Sequence, residues 1–196
     1  MVQTYLIVIS GPSGVGKATL THELLNRRSD LVLSVSATTR NPRPGEKNGR
    51  DYWFLSKEEF EQRIKENYFV EWALVHGNYY GTPEPPIRQQ LKQGKNVILE
   101  IDVQGGCNVK KIFRDQSILF FILPPVFEEL FNRLKKRGSE TLEEIEHRLQ
   151  TAHLELLRQD EYDYTIINDD IERAVFQLMD ILDRRLSNSH GKKSEH

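Results

Sequence analysis

Cysteine is almost missing from this chain of 196 residues. The single Cys107 excludes an intramolecular disulfide and any cysteine-rich zinc site. A surplus of charge is missing as well. Twenty-seven Lys and Arg stand against 29 Asp and Glu, and the resulting −2 excludes a strongly basic nucleic-acid scaffold. No apolar run approaches the roughly 18 residues that a bilayer span requires. Met1 to Tyr5 has no basic stretch ahead of its apolar run, and that run leads straight into glycines, so it reads as a strand and not a signal peptide. Metal-ligand spacing is lacking among the six histidines: His147 and His153 are six apart and share no helix face, while His190 and His196 fall in a polar tail. The expectation is a cytoplasmic protein with no nucleic-acid and no membrane partner. Hydrophobic residues make up only 38%, but they are grouped in short runs, which argues against disorder.

At roughly 150 residues per domain, the length suits one core with small insertions. Leu6 to Ile9 is unbroken and β-branched at three of four positions, as in a strand buried on both faces. Similar runs are 97–99, 118–123 and 164–167. Between them, helical periodicity follows Lys17 (Leu20, Leu24) and runs over 126–137, 141–157 and 171–186. The third of these opens on the capping box Thr141-Leu142-Glu143-Glu144. Strands alternating with helices predict a parallel α/β sheet covered on both faces. The stretch from Leu31 to Tyr80 breaks that rhythm. Short strand-like pieces (33–35, 52–55, 69–75) and one helix capped by Ser56 and Glu59 predict a mostly β insertion, with Trp53 and Trp72 read as core residues.

The most informative residues are Gly11-Pro12-Ser13-Gly14-Val15-Gly16-Lys17-Ala18-Thr19, between a buried strand and an amphipathic helix. Glycines let backbone N–H groups wrap a polyphosphate, the helix N-terminus adds partial positive charge, and Lys17 supplies a mobile cation. This predicts a nucleoside triphosphate. The strict pattern wants Ser or Thr after the lysine. Ala18 stands there, and Thr19 lies about 100° further round the helix, so Mg²⁺ is expected to be held mainly by phosphates and water.

A second anion site is suggested by 34–52, where Arg40, Arg43, Lys47 and Arg50 face Glu46 and Asp51, a local +2. Two arginines three apart in a turn-rich loop suit one phosphate, and a solvated loop suits the same composition. Glu71, in an aromatic run, is either a site carboxylate or a strand residue facing solvent. Asp102, at the end of a buried strand, is either at a ligand crevice or the cap of the next turn. Arg133 and Arg137 share a helix face, with Arg148 beyond: a solvated face or a clamp over a transferring phosphoryl group.

Taken in order, 11–17, 34–43 with Gly45, Gly49-Arg50-Asp51-Tyr52, Phe69-Val70-Glu71-Trp72, Gly77 to Thr82 and Asp102-Val103-Gln104-Gly105 resemble guanylate kinases, a family of nucleoside monophosphate kinases, from Leu6 to about Leu186. The resemblance implies a P-loop NTPase core (1–33 and 83–186) with a helical lid (about 137–148), a GMP-binding insertion (34–82) and a disordered tail (187–196). It implies transfer of the γ-phosphoryl group of ATP to GMP, and to dGMP, with Mg²⁺. Arg40, Arg43, Tyr52 and Tyr80 would hold the GMP phosphate. Ser36, Glu71 and Thr82 would read guanine, with Asp102 close by. Lys17, Arg40, Arg133, Arg137 and Arg148 would act on the transferring group, and Asn168 would lie near adenine. A homo-oligomer is left open. The rivals are a catalytically silent peptide-binding relative and a P-loop kinase for another phosphate acceptor. Neither needs Lys17, Arg40, Arg43 and Glu71 together.

Overall fold

A computed structural model describes residues 3–75, 77–137 and 142–188; for Lys136, Arg137, Leu142, Glu144 and Asn188 the backbone alone is described. Thr141 of the expected capping box, residues 138–141 of the expected lid and the tail from 189 onward lie outside the described residues.

Five strands form a parallel sheet: β1 (Leu6–Ser10), β2 (Leu31–Leu33), β7 (Asn96–Glu100), β8 (Ser117–Leu123) and β9 (Tyr164–Ile167), in the order β2-β7-β1-β8-β9. Leu6 lies opposite Val97 on one side and Ser117 on the other, so β1 is central. Alternate side chains of this sheet enter two separate cores. Ile7, Ile9, Ile98, Phe120 and Ile122 pack against Leu20 and Leu24 of α1 (Lys17–Arg27) and Leu178 and Leu182 of α7 (Ile171–Asn188). Leu6, Val8, Val97, Leu99, Leu119 and Phe121 pack against Ile87 and Leu91 of α3 (Glu84–Lys92) and Val109 and Phe113 of α4 (Val103–Phe113). Burial on both faces is why these strands read as continuous apolar runs.

A second sheet has the order β4-β3-β6-β5, with β3 (Ala37–Thr38), β4 (Trp53–Phe54), β5 (Phe69–Val75) and β6 (Asn78–Pro83). Its core is small. Phe60 of α2 (Lys57–Lys65) stacks on Phe69 at 4.3 Å and on Tyr79 at 5.2 Å between ring centroids. The helix starts as expected, with Ser56 Oγ accepting from Glu59 N at 3.1 Å and Ser56 N donating to Glu59 Oε2 at 2.9 Å. Helices α5 (Phe127–Arg137) and α6 (Leu142–Leu156) complete the chain.

Several expectations need correcting. The strand piece placed at 33–35 in the insertion is β2 at 31–33, paired with β7 in the main sheet, where the Leu31 side chain is buried. Trp53 and Trp72 are not core residues: they lie opposite Ala37 and Gly81, on the sheet face that carries Phe60, but the cluster there is small and leaves them 38% and 47% exposed. The last helix runs to Asn188, so 187 and 188 belong to it and not to the tail. Helices α3 and α4 and strand β6 were not anticipated. Pro85 and Pro86 disguise the first turn of α3, where missing N–H groups cost nothing. Gly105 and Gly106 disguise α4, and Gly81 interrupts β6.

Candidate active site

All the informative segments gather at the carboxyl edge of the parallel sheet, where crevices form in open α/β folds. The phosphate loop leaves β1, Asp102 follows β7, and Asn168 follows β9.

Helix α1 begins at Lys17 behind Gly16, whose φ is 100° and whose side carries no capping group. The N-cap residue thus offers no side chain to the first N–H groups of the helix, and such a helix start suits an anion. A Cβ on Gly16 would stand 2.4 Å from Asn168 Nδ2, so both the backbone conformation and the space demand glycine. The loop is held from behind. Buried Asn168 donates to Val15 O at 2.8 Å. Arg133 donates to Val15 O and to Asn168 O, both at 3.1 Å. Lys17 Nζ is folded over the loop, 2.6 Å from Gly11 O and 3.2 Å from Pro12 O. Thr19 is exposed and lines a cavity of about 540 Å³ with Gly14, Gly16, Arg133, Asn168, Asp169 and Ile171.

The acceptor side is built from side chains. Ser36, Tyr52, Glu71, Tyr80 and Asp102 line one cavity of about 250 Å³ together with Glu100. A register shift between Phe69 and Glu71 turns β5 there. Phe69 joins the aromatic cluster, Val70 joins the main core, and Glu71 faces the cavity. Thr82, wholly buried and opposite Glu71 on β6, donates its hydroxyl to Glu71 Oε1. Behind Glu71 lies Gly105 of α4; a Cβ there would come within 3.0 Å of Glu71 Cγ and 3.2 Å of its carboxylate. Burial pushes the Glu71 carboxyl up to about 7; the Thr82 hydroxyl opposes the shift, and the charge of Asp102 adds to it. Asp102 proves to be both things the sequence allowed. It caps α4, accepting from Gly105 N at 2.7 Å, and it lines the cavity.

Arg40 lies over the rings of Tyr52 at 5.5 Å and Phe54 at 5.8 Å, and Tyr52 meets Tyr80 edge-on at 6.1 Å. Its guanidinium forms a bidentate pair with Glu46, at 2.9 and 3.0 Å. Glu46 also accepts from the Arg43 backbone N–H at 2.7 Å, so one carboxylate folds the arginine loop. A cleft of about 800 Å³ joins the two sides, lined by Ser13, Arg43, Tyr80, Arg148 and Glu155, among others. Arg148 Nη1 donates to Ser13 Oγ at 3.1 Å. The Arg137 side chain lies outside the described residues. Glu100 and Glu155 escaped the sequence reading. Glu100 is the penultimate acidic residue of the Glu100-Ile101-Asp102 strand end, and Glu155 falls seven residues after Arg148, hence on the same helix face.

A phosphate loop, a cationic cleft and a second pocket ending in a buried carboxylate define a nucleotide-dependent phosphotransferase on a P-loop core. Comparison with known proteins narrows this. The guanylate kinase family model matches residues 3–185. The chain is 50% identical over 180 residues to the guanylate kinase of Caldanaerobacter subterraneus subsp. tengcongensis, covering 92% of this chain and 87% of that protein. It is 52% identical over 177 residues to that of Clostridium perfringens, covering 90% and 82%. A crystal structure of guanylate kinase from Anaplasma phagocytophilum superposes with a TM-score of 0.75 at 33% identity, over 95% of this chain and 88% of that one. Shikimate kinase from Bacteroides thetaiotaomicron, at a TM-score of 0.50 and 15% identity, shares the fold alone. The chain belongs to the guanylate kinase family, whose reaction is the transfer of the γ-phosphoryl group of ATP to GMP.

Proposed function

We propose that the Glu71 pocket seats the guanine of GMP and that the phosphate loop seats the triphosphate of ATP. Guanine presents N1–H and N2–H₂ on one edge, and an ionised carboxylate accepts from both. One Glu71 oxygen is already fixed by Thr82, which is the observation that carries the reading. Adenine has no hydrogen at N1, so opposite Glu71 it leaves a buried acceptor unpaired, a mismatch costing roughly 1–3 kcal/mol. Ser36 and Asp102 share the pocket with Glu71 and complete the guanine edge. Tyr52, Tyr80, Arg40 and Arg43 gather on its phosphate side.

The acceptor phosphate oxygen is anionic near neutral pH, so its in-line attack on the γ-phosphorus needs no general base. What the protein supplies is position and positive charge. Lys17 turns from the loop carbonyls to the β- and γ-phosphates. Arg148, and by the resemblance Arg137, neutralise charge on the transferring group. Arg133 and Asn168 act from behind by holding Val15 and thereby the loop. Magnesium enters as part of the MgATP substrate. Ala18 offers it no side-chain oxygen, Thr19 lines a cavity with Gly14 and Gly16, and no cluster of three acidic, His or Cys side chains exists among the described residues. The bacterial guanylate kinases at about half identity support a cytoplasmic setting. Among the described residues, no helix is long and apolar enough to cross a membrane.

Turnover with GMP, dGMP, AMP and UMP side by side tests the acceptor. GMP and dGMP are expected to be used and AMP and UMP to be poor; preference for a non-guanine acceptor overturns the assignment.

A further inference from the structure

Two adjacent glycines of α4 receive two different side chains. A Cβ on Gly105 would stand 3.0 Å from Glu71 Cγ, and one on Gly106 would stand 2.2 Å from the Tyr162 hydroxyl oxygen. Consecutive helical residues point about 100° apart, so the helix is notched on two sides near its start. Glycine weakens a helix interior relative to alanine, and what it permits here is close approach. Tyr162, only 9% exposed and just ahead of β9, fills the second notch and donates its hydroxyl to Val103 O at 3.0 Å. Its ring meets Phe121 of β8 edge-on at 5.0 Å, which roots the contact in the main sheet. Val103 opens α4 directly after Asp102. The Asp102 carboxylate accepts from Gly105 N at 2.7 Å and its carbonyl from Gly106 N at 3.2 Å. The turn that Tyr162 holds thus carries Asp102 on the pocket wall and Gly105 behind Glu71. Val70, the neighbour of Glu71 on β5, packs in one cluster with Val103, Phe121 and Tyr162.

We infer that Tyr162 is a positioning residue for the acceptor site: by fastening the first turn of α4 through Val103, it fixes the backing against which the Glu71 carboxylate rests. Glu71 stands on the thin second sheet, and Tyr162 on the main one. The hydroxyl therefore ties the base-reading carboxylate to the better-buried half of the molecule. This rests on the reading above, in which Glu71 faces guanine.

Tyr162→Phe tests it, since the ring and its contact with Phe121 stay and only the hydroxyl goes. The KM for GMP is expected to rise about fivefold, with kcat and the dissociation constant for ATP within about twofold of wild type. AMP cannot donate to the carboxylate from N1, so its kcat/KM is expected to stay unchanged, and the margin of GMP over AMP narrows by the same factor. A merely structural tyrosine would lower the melting temperature and leave that margin intact, and this result overturns the inference. In the ligand-free protein, amide exchange at Gly105 and Gly106 is expected to quicken about fivefold while β1 keeps its protection. Equal exchange at the two glycines in wild type and variant also overturns the tether. That readout involves no acceptor, so a wild-type enzyme that ignores GMP refutes only the functional reading.

Discussion

The two sides of the cleft receive negative charge by different means. The donor side uses backbone: N–H groups of a glycine-rich loop, anchored by Asn168 and Arg133 and rooted in a strand with no exposed residue. The acceptor side uses side chains from a thin sheet whose core has, among the described residues, three buried hydrophobic ones, Ala37, Phe60 and Phe69. A backbone cradle grips any polyphosphate and is as stable as the main core. A side-chain pocket can read one base but depends on a few residues for its shape. On the proposed reading, this separation would let the selective half move without disturbing the half that holds ATP.

The sharpest way to break this contrast is at Lys17, the mobile charge carried by the donor side's loop and helix start. Lys17→Met should lower kcat about a thousandfold, equivalent to roughly 4 kcal/mol, because the ammonium matters most as charge moves on the γ-phosphate. The melting temperature should move little, since the hydrogen bonds lost to the Gly11 and Pro12 carbonyls are only part-buried. Steady-state kinetics beside a thermal melt checks both. Turnover within a factor of a few of wild type would remove Lys17 from the mechanism.

Next in size is the aromatic core of the acceptor side. Phe60→Ala deletes a fully buried ring stacked on Phe69 and Tyr79 and should cost about 3–5 kcal/mol locally. Amide exchange in β5 and β6 should speed up, and the KM for GMP should rise, while ATP binding without GMP stays near normal. Equal loss of protection in β1 and β8 would mean that the two sheets unfold as one unit.

The same division decided what was legible in advance. The main strands and the phosphate loop announce themselves because burial on both faces forces continuous apolar runs and because the loop's glycines are adjacent in sequence. The acceptor pocket is assembled from Ser36, Tyr52, Glu71, Tyr80 and Asp102, on five separate segments, so no local pattern describes it; only the family resemblance gathered them. The arginine loop looked equally like a solvated one, because what organises it is Glu46, an ordinary acidic residue until its pairing with Arg40 is seen. Trp72 looked like core because an aromatic run predicts burial; its register opposite Gly81 does put it on the Phe60 face, but the cluster there is too small to cover it. Helix α4 was hidden by the feature that makes it useful: Gly105 weakens the helical signal but leaves room for the Glu71 carboxylate.

The subtlest contrast lies in how the acceptor side responds to pH. Glu71 has an ordinary carboxyl value of 4.5 when the chain is unfolded and about 7 in the folded, ligand-free protein. Between those values the folded state binds the extra proton, so this group's contribution to stability is fully present below 4.5 and is lost as pH rises through 7. The shift corresponds to about 3 kcal/mol. Glu71→Gln carries no charge to desolvate, so relative to wild type it should gain stability between pH 5 and 8. A rise of a few degrees in melting temperature at pH 8, and none near pH 4, is expected. The gain comes with a loss. The amide cannot accept from both guanine donors, so GMP use should fall roughly tenfold to a hundredfold, and the margin over AMP should narrow. For the wild type, guanine donors pull the carboxyl back toward its ionised form. Its KM for GMP should therefore rise as pH drops below 7, and that dependence should vanish in the variant. A variant no more stable than wild type at pH 8 and equally selective for GMP would mean that the buried carboxylate neither strains the free pocket nor reads the base.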